Sequence, residues 1–339
     1  MSTKEGNGAA GGLRICVVGA GAIGGFLATK LALAGNQVSV LARGATLQAI
    51  RSQGLRLDSG GVRLQAHVAA SDDAAQLGEQ DVVILAVKAP SLPGVADKLS
   101  PLLRPDTIVL PALNGVPWWY FKAMQGTPLA GQRLKATDPD GRLEAAIPTR
   151  QIVGLVVFPS CSSPEPGLIV HASGSRLVLG EADGKPSPRA EVMGRIFVEA
   201  GFDASASPDI RREVWLKLLG NACFNPVSLL TGSATDLLID DTDINQLFQN
   251  MMLELLAVGR EIGVPVEISP VDRLAITRKL GHIKTSMLQD VEAGRAVEID
   301  SILGAAVEIA AALGVSAPCL NTVYALAKFR ARHLGLYPG

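Results

Sequence analysis

Gly19-Ala20-Gly21-Ala22-Ile23-Gly24 follows the β-branched run Leu13 to Val18 and opens the helical pattern FLATKLALAG. This turn limits the available folds more than anything else in the chain, since it demands a buried strand before it and a helix after it. The first glycine permits a tight turn, the second lets a pyrophosphate approach the backbone, and the third lets the helix pack closely on the strand. The helix N-terminus adds a partial positive charge toward the phosphates. A ligand-free glycine turn is the plain alternative, but it would not need three glycines at this spacing. Gly19, Ala20, Gly21, Ala22, Ile23 and Gly24 are therefore assigned to a dinucleotide. Gln37 to Leu41 supplies the next strand, and residues 13–42 make one βαβ unit with a right-handed crossover.

The same alternation continues. It predicts a helix over 46–53, a hairpin through Ser59-Gly60-Gly61, a strand over 81–87, a helix over 92–103 and a strand over 107–110. IVGLVVF, GLIVHA and RLVLGE read as further strands, and residues 189–200 as a helix. Beyond Asp209 helix follows helix, over 210–230, 245–262, 271–280, 282–293, 299–313 and 317–334. The fold class is α/β: a doubly wound (Rossmann) dinucleotide-binding domain over 13–205, followed by an all-α domain over 206–339. Residues 1–12, MSTKEGNGAAGG, hold too little apolar surface to offset ordering entropy and read as a disordered tail.

Composition narrows the partner. The 339 residues carry 31 Lys and Arg against 32 Asp and Glu, a net charge of −1, without the positive excess that nucleic acid or an anionic membrane selects. A small molecule is the expected partner. No run reaches the roughly 18 to 20 apolar residues of a membrane helix. Cys16, Cys161, Cys223 and Cys319 are scattered without CxxC spacing, so the expectation is a cytoplasmic protein. His67, His171, His282 and His333 show no metal-ligand spacing, and no metal is expected.

An NAD site ordinarily carries Asp or Glu at the end of the second strand to hold the ribose 2′-hydroxyl. Here residues 6–57 contain no carboxylate, and the strand ends in Ala42-Arg43-Gly44. Arg43 suits a 2′-phosphate, which a planar guanidinium holds bidentately; otherwise it is a solvated loop arginine. The expected cofactor is NADP(H). Lys88, after VVILAV, and Asn114-Gly115, after TIVLPAL, lie where doubly wound sheets place ligands, although each also suits an ordinary loop. Lys217, Asn221 and Asn225 share one face of the helix over 210–230. Beside Trp215 and Phe224 they point to a semi-buried polar cleft; the alternative is an exposed stripe with a kink at Pro226. Ser286 and Asp290 lie one helical turn apart, ahead of Glu298-Ile-Asp300. Helix capping accounts for Asp300, while Glu298 stays open between capping and chemistry.

In this order the motifs resemble the ketopantoate reductase (2-dehydropantoate 2-reductase) family, within the 6-phosphogluconate dehydrogenase-like superfamily, over nearly the whole chain after residue 12. The resemblance rests on GAGAIGG, Arg43, Lys88, Asn114-Gly115, the E-x-W-x-K-L-x-x-N-x-x-x-N-P helix from Glu213, and S-M-L-Q-D with E-I-D beyond it. It implies NADPH-dependent reduction of a 2-oxo acid, 2-dehydropantoate, to the 2-hydroxy acid pantoate in pantothenate biosynthesis. It assigns Lys217 as general acid and Glu298 as the carboxylate holding the substrate hydroxyl. Asn114, Asn221, Asn225 and Ser286 become orienting groups, and Lys88 a lysine near cofactor and substrate. Burial beside asparagines is expected to lower the Lys217 pKa toward neutrality, with Glu298 opposing the shift. Some family members form homodimers, which an apolar helical domain permits. Two departures leave the substrate open. Residues 118–145, with Trp118-Trp119-Tyr120-Phe121, exceed the family's usual connection and form either a lid or packing, and Thr235 stands where members often carry asparagine. A paralogous reductase of a different or bulkier 2-oxo acid and a non-catalytic NADP(H)-binding protein are the alternative readings.

Overall fold

In the computed structural model residues 12–337 are described, so the expected tail over 1–12 lies outside the described residues save for Gly12. The chain opens with β1 (Arg14–Val18), α1 (Ala22–Leu33) and β2 (Gln37–Leu41), and β1 is buried from Ile15 to Val18. Next come α2 (Gly44–Gln53), β3 (Leu55–Ser59), β4 (Val62–Ala66), β5 (Ala69–Ser71), β6 (Val82–Leu85), α3 (Leu92–Ala96), β7 (Ile108–Pro111) and α4 (Arg142–Ala146). The α/β half closes with β8 (Val153–Val157), β9 (Ser160–Glu165), β10 (Leu168–Ser173), β11 (Arg176–Glu181), α5 (Pro188–Glu199) and β12 (Asp203–Ala206).

Five parallel strands in the order β5-β2-β1-β6-β7 form the central sheet. A bridge from Val109 to Ile152 carries it onward to a second sheet, β8-β11-β12. The hairpin through Ser59-Gly60-Gly61 forms, but it belongs to a separate sheet, β4-β3-β10-β9, laid against α1, where Phe26 stacks on His171 at 4.6 Å. β9 has no counterpart in the sequence reading, because SCSSPE is an edge strand without an apolar face to betray it. The helix expected over 92–103 ends at Ala96, followed by a 3₁₀ turn over Ser100–Leu102. Pro101 has no N–H for the ladder, and Pro93-Gly94 leaves only a short helix behind it.

The second half is helical: α6 (Ile210–Thr231), α7 (Thr235–Asp240), α8 (Thr242–Glu261), α9 (Pro270–Arg278), α10 (Ser286–Glu292), a π-helical turn over Asp300–Gly304, α11 (Ala305–Leu313) and α12 (Pro318–His333). α6 runs through Pro226 without ending. The helix expected from residue 282 starts only at Ser286, where the Thr285 hydroxyl accepts from the Leu288 N–H as its cap. Asp300 is not a cap. Its carboxylate accepts from the hydroxyls of Tyr324 and Tyr337, each at 2.5 Å, and so ties α12 and the C-terminal segment to the π turn. Among the described residues no helix is long and apolar enough to cross a membrane.

The aromatic cluster Trp118-Trp119-Tyr120-Phe121 is packing, not a lid. All four side chains are buried, and they join the sheet residues Val83 and Val109 to Trp215, Leu218 and Phe248 in one continuous apolar core. Tyr120 lies 6.2 Å from the Trp215 ring and donates its hydroxyl to the Arg211 carbonyl at 3.1 Å. Trp119 presses on Gly154 of β8, where a Cβ would come within 2.8 Å of the indole. The aromatic cluster thus cements the two halves together. Trp119→Ala is expected to cost about 3 to 5 kcal/mol, read as a lowered denaturation midpoint; an unchanged midpoint would mean the cluster moves freely.

Candidate active site

The site forms where the carboxyl ends of parallel strands meet the face of α6, the usual ligand position in an open α/β sheet. A cleft of about 530 Å³ opens there, bounded by Gly19, Gly21, Lys88, Asn114, Lys217 and Glu298 among others. That volume suits a small molecule. At its floor, Gly19 bends the chain at φ +92°, and its carbonyl lies so near α1 that a Cβ on Gly24 would stand 1.9 Å from it. Nothing lies within 4 Å of a Cβ built on Gly21, which leaves bare backbone facing open space at the start of α1. These are the features a pyrophosphate needs.

Gly19 donates its N–H to the Leu41 carbonyl at 2.9 Å, which holds the end of β2 beside the glycine turn. Two residues on, Arg43 precedes α2; it is exposed and makes no side-chain hydrogen bond or ion pair among the described residues. An unpaired guanidinium therefore stands at the end of the second strand, where a carboxylate would stand in an NAD site.

Lys217 enters from α6 and crosses the seam between the halves. Its ammonium donates to the Asn114 side-chain carbonyl at 2.9 Å and to the backbone carbonyl of Val157 at 2.5 Å, with the Phe158 ring centroid 5.7 Å away. Both acceptors are neutral and both come from strand ends. Burial pulls the Lys217 pKa down to about 8, opposed by the charge of Glu298, in the direction the sequence reading expects. Asn221 and Asn225 continue along α6 into the cleft, so the polar stripe is a cleft lining and not a solvent face. Asn225 is 4% exposed, and its buried side-chain Nδ2 has no partner among the described residues. A buried donor at a cleft is suited to an acceptor on a ligand.

Lys88 meets the helical half from the other side. Its ammonium lies 2.6 Å from Asp290 and 3.3 Å from Glu298, both buried, and the Ala89 N–H donates to the second Glu298 oxygen at 3.0 Å. Burial alone would lower the Lys88 pKa, but attraction to Glu298 and Asp290 raises it above the ordinary value. Lys88 is thus a fixed cation, while Lys217 is close to losing its proton. Asp290 also accepts from Arg295 at 3.0 Å. Ser286 is exposed at the start of α10 and borders the same cleft. Cys161 borders it too, yet burial pushes its thiol up to about 12, so it offers no thiolate. Among the described residues no group of three or more His, Cys, Asp or Glu side chains could hold a metal ion.

All the expected cleft residues, Lys88, Asn114, Lys217, Asn221, Asn225, Ser286 and Glu298, border one cavity, together with Gly19, Gly21, Ala22 and Ile23. Arg43, two residues past β2, is not among the residues that border it. Sequence reasoning missed Arg273 and the Val157 carbonyl, and did not pair Asp290 with Lys88. A backbone carbonyl leaves no mark in a sequence, and Lys88 and Asp290 stand 202 residues apart.

Residues 15–118 match the family Ketopantoate reductase PanE/ApbA, and residues 209–331 match Ketopantoate reductase PanE/ApbA C terminal. The 2-dehydropantoate 2-reductase of Mesorhizobium japonicum is 43% identical over 96% of this chain and 100% of its own. The chain belongs to the ketopantoate reductase family. A candidate ketopantoate reductase from Ralstonia solanacearum MolK2 is 48% identical, with a TM-score of 0.92 over 96% of this chain and 99% of that one. The 2-dehydropantoate 2-reductase of Methylococcus capsulatus is 30% identical, with a TM-score of 0.81 over 95% and 98%. The fold and oxidoreductase class follow from these matches.

One backbone contact sets the alignment of this ketopantoate reductase site. Gly115 has φ +83°, and a Cβ there would lie 2.1 Å from the Ser301 carbonyl; the next residue, Val116, donates its N–H to that same oxygen at 2.8 Å. Asn114 and Glu298 are thus locked through the loop and the π turn that carry them. Gly115→Ala is expected to part the two, lowering kcat/KM at least about 10-fold in a steady-state assay with the folded fraction checked by circular dichroism. An alanine variant of undiminished activity would show the contact to be dispensable.

Proposed function

We propose that this chain reduces 2-dehydropantoate to pantoate with NADPH, a step of pantothenate biosynthesis, with Lys217 as the general acid. The observation that carries this reading is the Lys217 ammonium, held at the seam by Asn114 and Val157 with a pKa of about 8. When bound, the reduced nicotinamide supplies a hydride to the 2-oxo carbon. Gly19, Ala20, Gly21, Ala22, Ile23 and Gly24 would hold the dinucleotide, Arg43 its 2′-phosphate, and Lys88 and Asn114 would border it. In this reading residues 13–205 carry the nucleotide and 206–339 the substrate.

As negative charge develops on the carbonyl oxygen, the Lys217 ammonium stabilises it and gives up a proton, leaving a hydroxyl on the product and a neutral amine that recovers its proton from water. A pKa near 8 suits a donor at neutral pH, since an ordinary lysine would hold its proton too firmly. Glu298, held in place by Lys88 and the Ala89 N–H, would accept a hydrogen bond from the substrate hydroxyl. Asn221, Asn225 and Ser286 would orient the remaining polar groups, the open Asn225 Nδ2 meeting a substrate oxygen. A compartment lacking oxidising conditions agrees with four unpaired cysteines.

Three measurements test this reading. Lys217→Ala is expected to lower kcat with 2-dehydropantoate by at least about 10²-fold while NADPH binding, followed by fluorescence, changes little. A fully active variant would remove Lys217 from the mechanism. Because the protonated amine is the donor, kcat should fall as pH rises through about 8; a flat alkaline limb in the pH profile argues against this acid. Arg43→Ala should erode the preference for NADPH over NADH by about 10-fold or more, and an unaltered cofactor ratio would return Arg43 to the role of a solvated loop residue.

A further inference from the structure

The cations bordering the cleft fall into two kinds. Lys88 is matched by Asp290 and Glu298, and Lys284 lies 2.7 Å from Glu292. Arg273 of α9 borders the same cleft and has no carboxylate partner among the described residues. Its Nη1 donates to the Thr277 hydroxyl at 2.6 Å, and its Nη2 lies over the bare backbone of Gly220 on α6, 2.1 Å from where a Cβ would stand. Burial lowers the Arg273 pKa below its ordinary value, so the guanidinium is held largely out of water with no anion to compensate it. A desolvated cation left in that state is the complement of an anion that arrives with a ligand.

Position decides which part of a ligand this is. Gly220 is three residues beyond Lys217 on α6, about 4.5 Å along the axis, and Asn221 and Asn225 continue in the same direction. The Lys217 ammonium turns the other way, to the strand ends. Arg273 therefore faces the part of a substrate remote from the reacting carbonyl. Asn225 Nδ2 is a second open donor on that helix, and an acceptor with several lone pairs would satisfy both. Glu298, the one carboxylate bordering the cleft among the described residues, is already engaged by Lys88. With Lys217 engaged at the reacting carbonyl, Arg273 remains as the other cation bordering the cleft without an acid among the described residues, which matches a negative charge at the far end of a substrate.

We propose that Arg273, seated on Gly220, is a specificity-determining residue that receives a second carboxylate at the far end of a 2-oxo acid, so that this reductase also accepts 2-oxo dicarboxylic acids. The inference rests on the reductase reading of the same cleft and names a substrate class for it. A planar guanidinium grips a carboxylate by two parallel hydrogen bonds, a geometry that an uncharged chain end cannot reproduce.

The test compares NADPH oxidation with 2-dehydropantoate, with the five-carbon diacid 2-oxoglutarate, and with 2-oxopentanoate, which has the same chain length and no second charge. The wild type is expected to favour the diacid over 2-oxopentanoate by at least about 10-fold in kcat/KM, mainly through KM. Arg273→Met should shrink that ratio to within about 2-fold, and Arg273→Lys, which keeps the charge but not the fork, should retain part of it. Absence of a diacid preference in the wild type, or its survival in a folded Arg273→Met protein, overturns the proposal. If 2-dehydropantoate is reduced but the preference is missing, only the role of Arg273 fails. If no 2-oxo acid is reduced, the reductase reading fails instead, and calorimetric binding of the two probes to NADPH-loaded wild type and Arg273→Met still decides whether Arg273 selects the second carboxylate.

Discussion

The site depends on an ammonium taken out of water and held by two neutral oxygens. A carboxylate beside Lys217 would have raised its pKa and fixed its proton; a side-chain amide and a backbone carbonyl fix its direction and leave burial to lower the pKa to about 8. Both oxygens belong to the strand-built half, so the arrangement exists only when α6 is seated on the sheet. The buried aromatics from Trp118 to Phe121 and the Val116 N–H to Ser301 carbonyl bond beside Gly115 secure that seating, one through apolar area and the other through a backbone hydrogen bond. Stability and catalytic alignment are in this way served by the same seam.

Charge is partitioned across the cleft with equal care. Asp290 and Glu298 gather around Lys88, and their charges hold its pKa above the ordinary value. Of two lysines within one cleft, one is stabilised as a permanent cation and the other is made ready to release its proton. Opposite environments imposed on like side chains are how a protein assigns different roles to them. Arg273 is the exception, a cation with only a threonine hydroxyl for a side-chain partner among the described residues.

Much of the frame was legible in the residues. Periodicity and glycine placement located β1, α1 and β2 and nearly all the long helices, since each owes its form to local pattern and to burial along one face. The elements that escaped are short or lack such a pattern: β9, an edge strand of serines, and the short β5, α4, β12 and α7. The helix expected over 92–103 ends at Ala96 and gives way to a 3₁₀ turn at Pro101, whose missing N–H, with Gly94 close behind Pro93, leaves too little local helix support to continue it. Asp300, read as a cap, proved to be an acceptor for two tyrosines 24 and 37 residues away.

Sequence alone determined which residue types were available, their spacing along each element, and the absence of an acid between Gly6 and Leu57 that left Arg43 at the end of the second strand. These are local facts, fixed by neighbours within a few residues. Only the tertiary structure decided that Val157 and Asn114 would share the Lys217 ammonium, that Lys88 would be claimed by Asp290 and Glu298, and that Trp118 to Phe121 would be mortar and not a lid. Each of those outcomes depends on desolvation and on contacts between segments far apart in the chain, quantities that come into being only when the two halves meet.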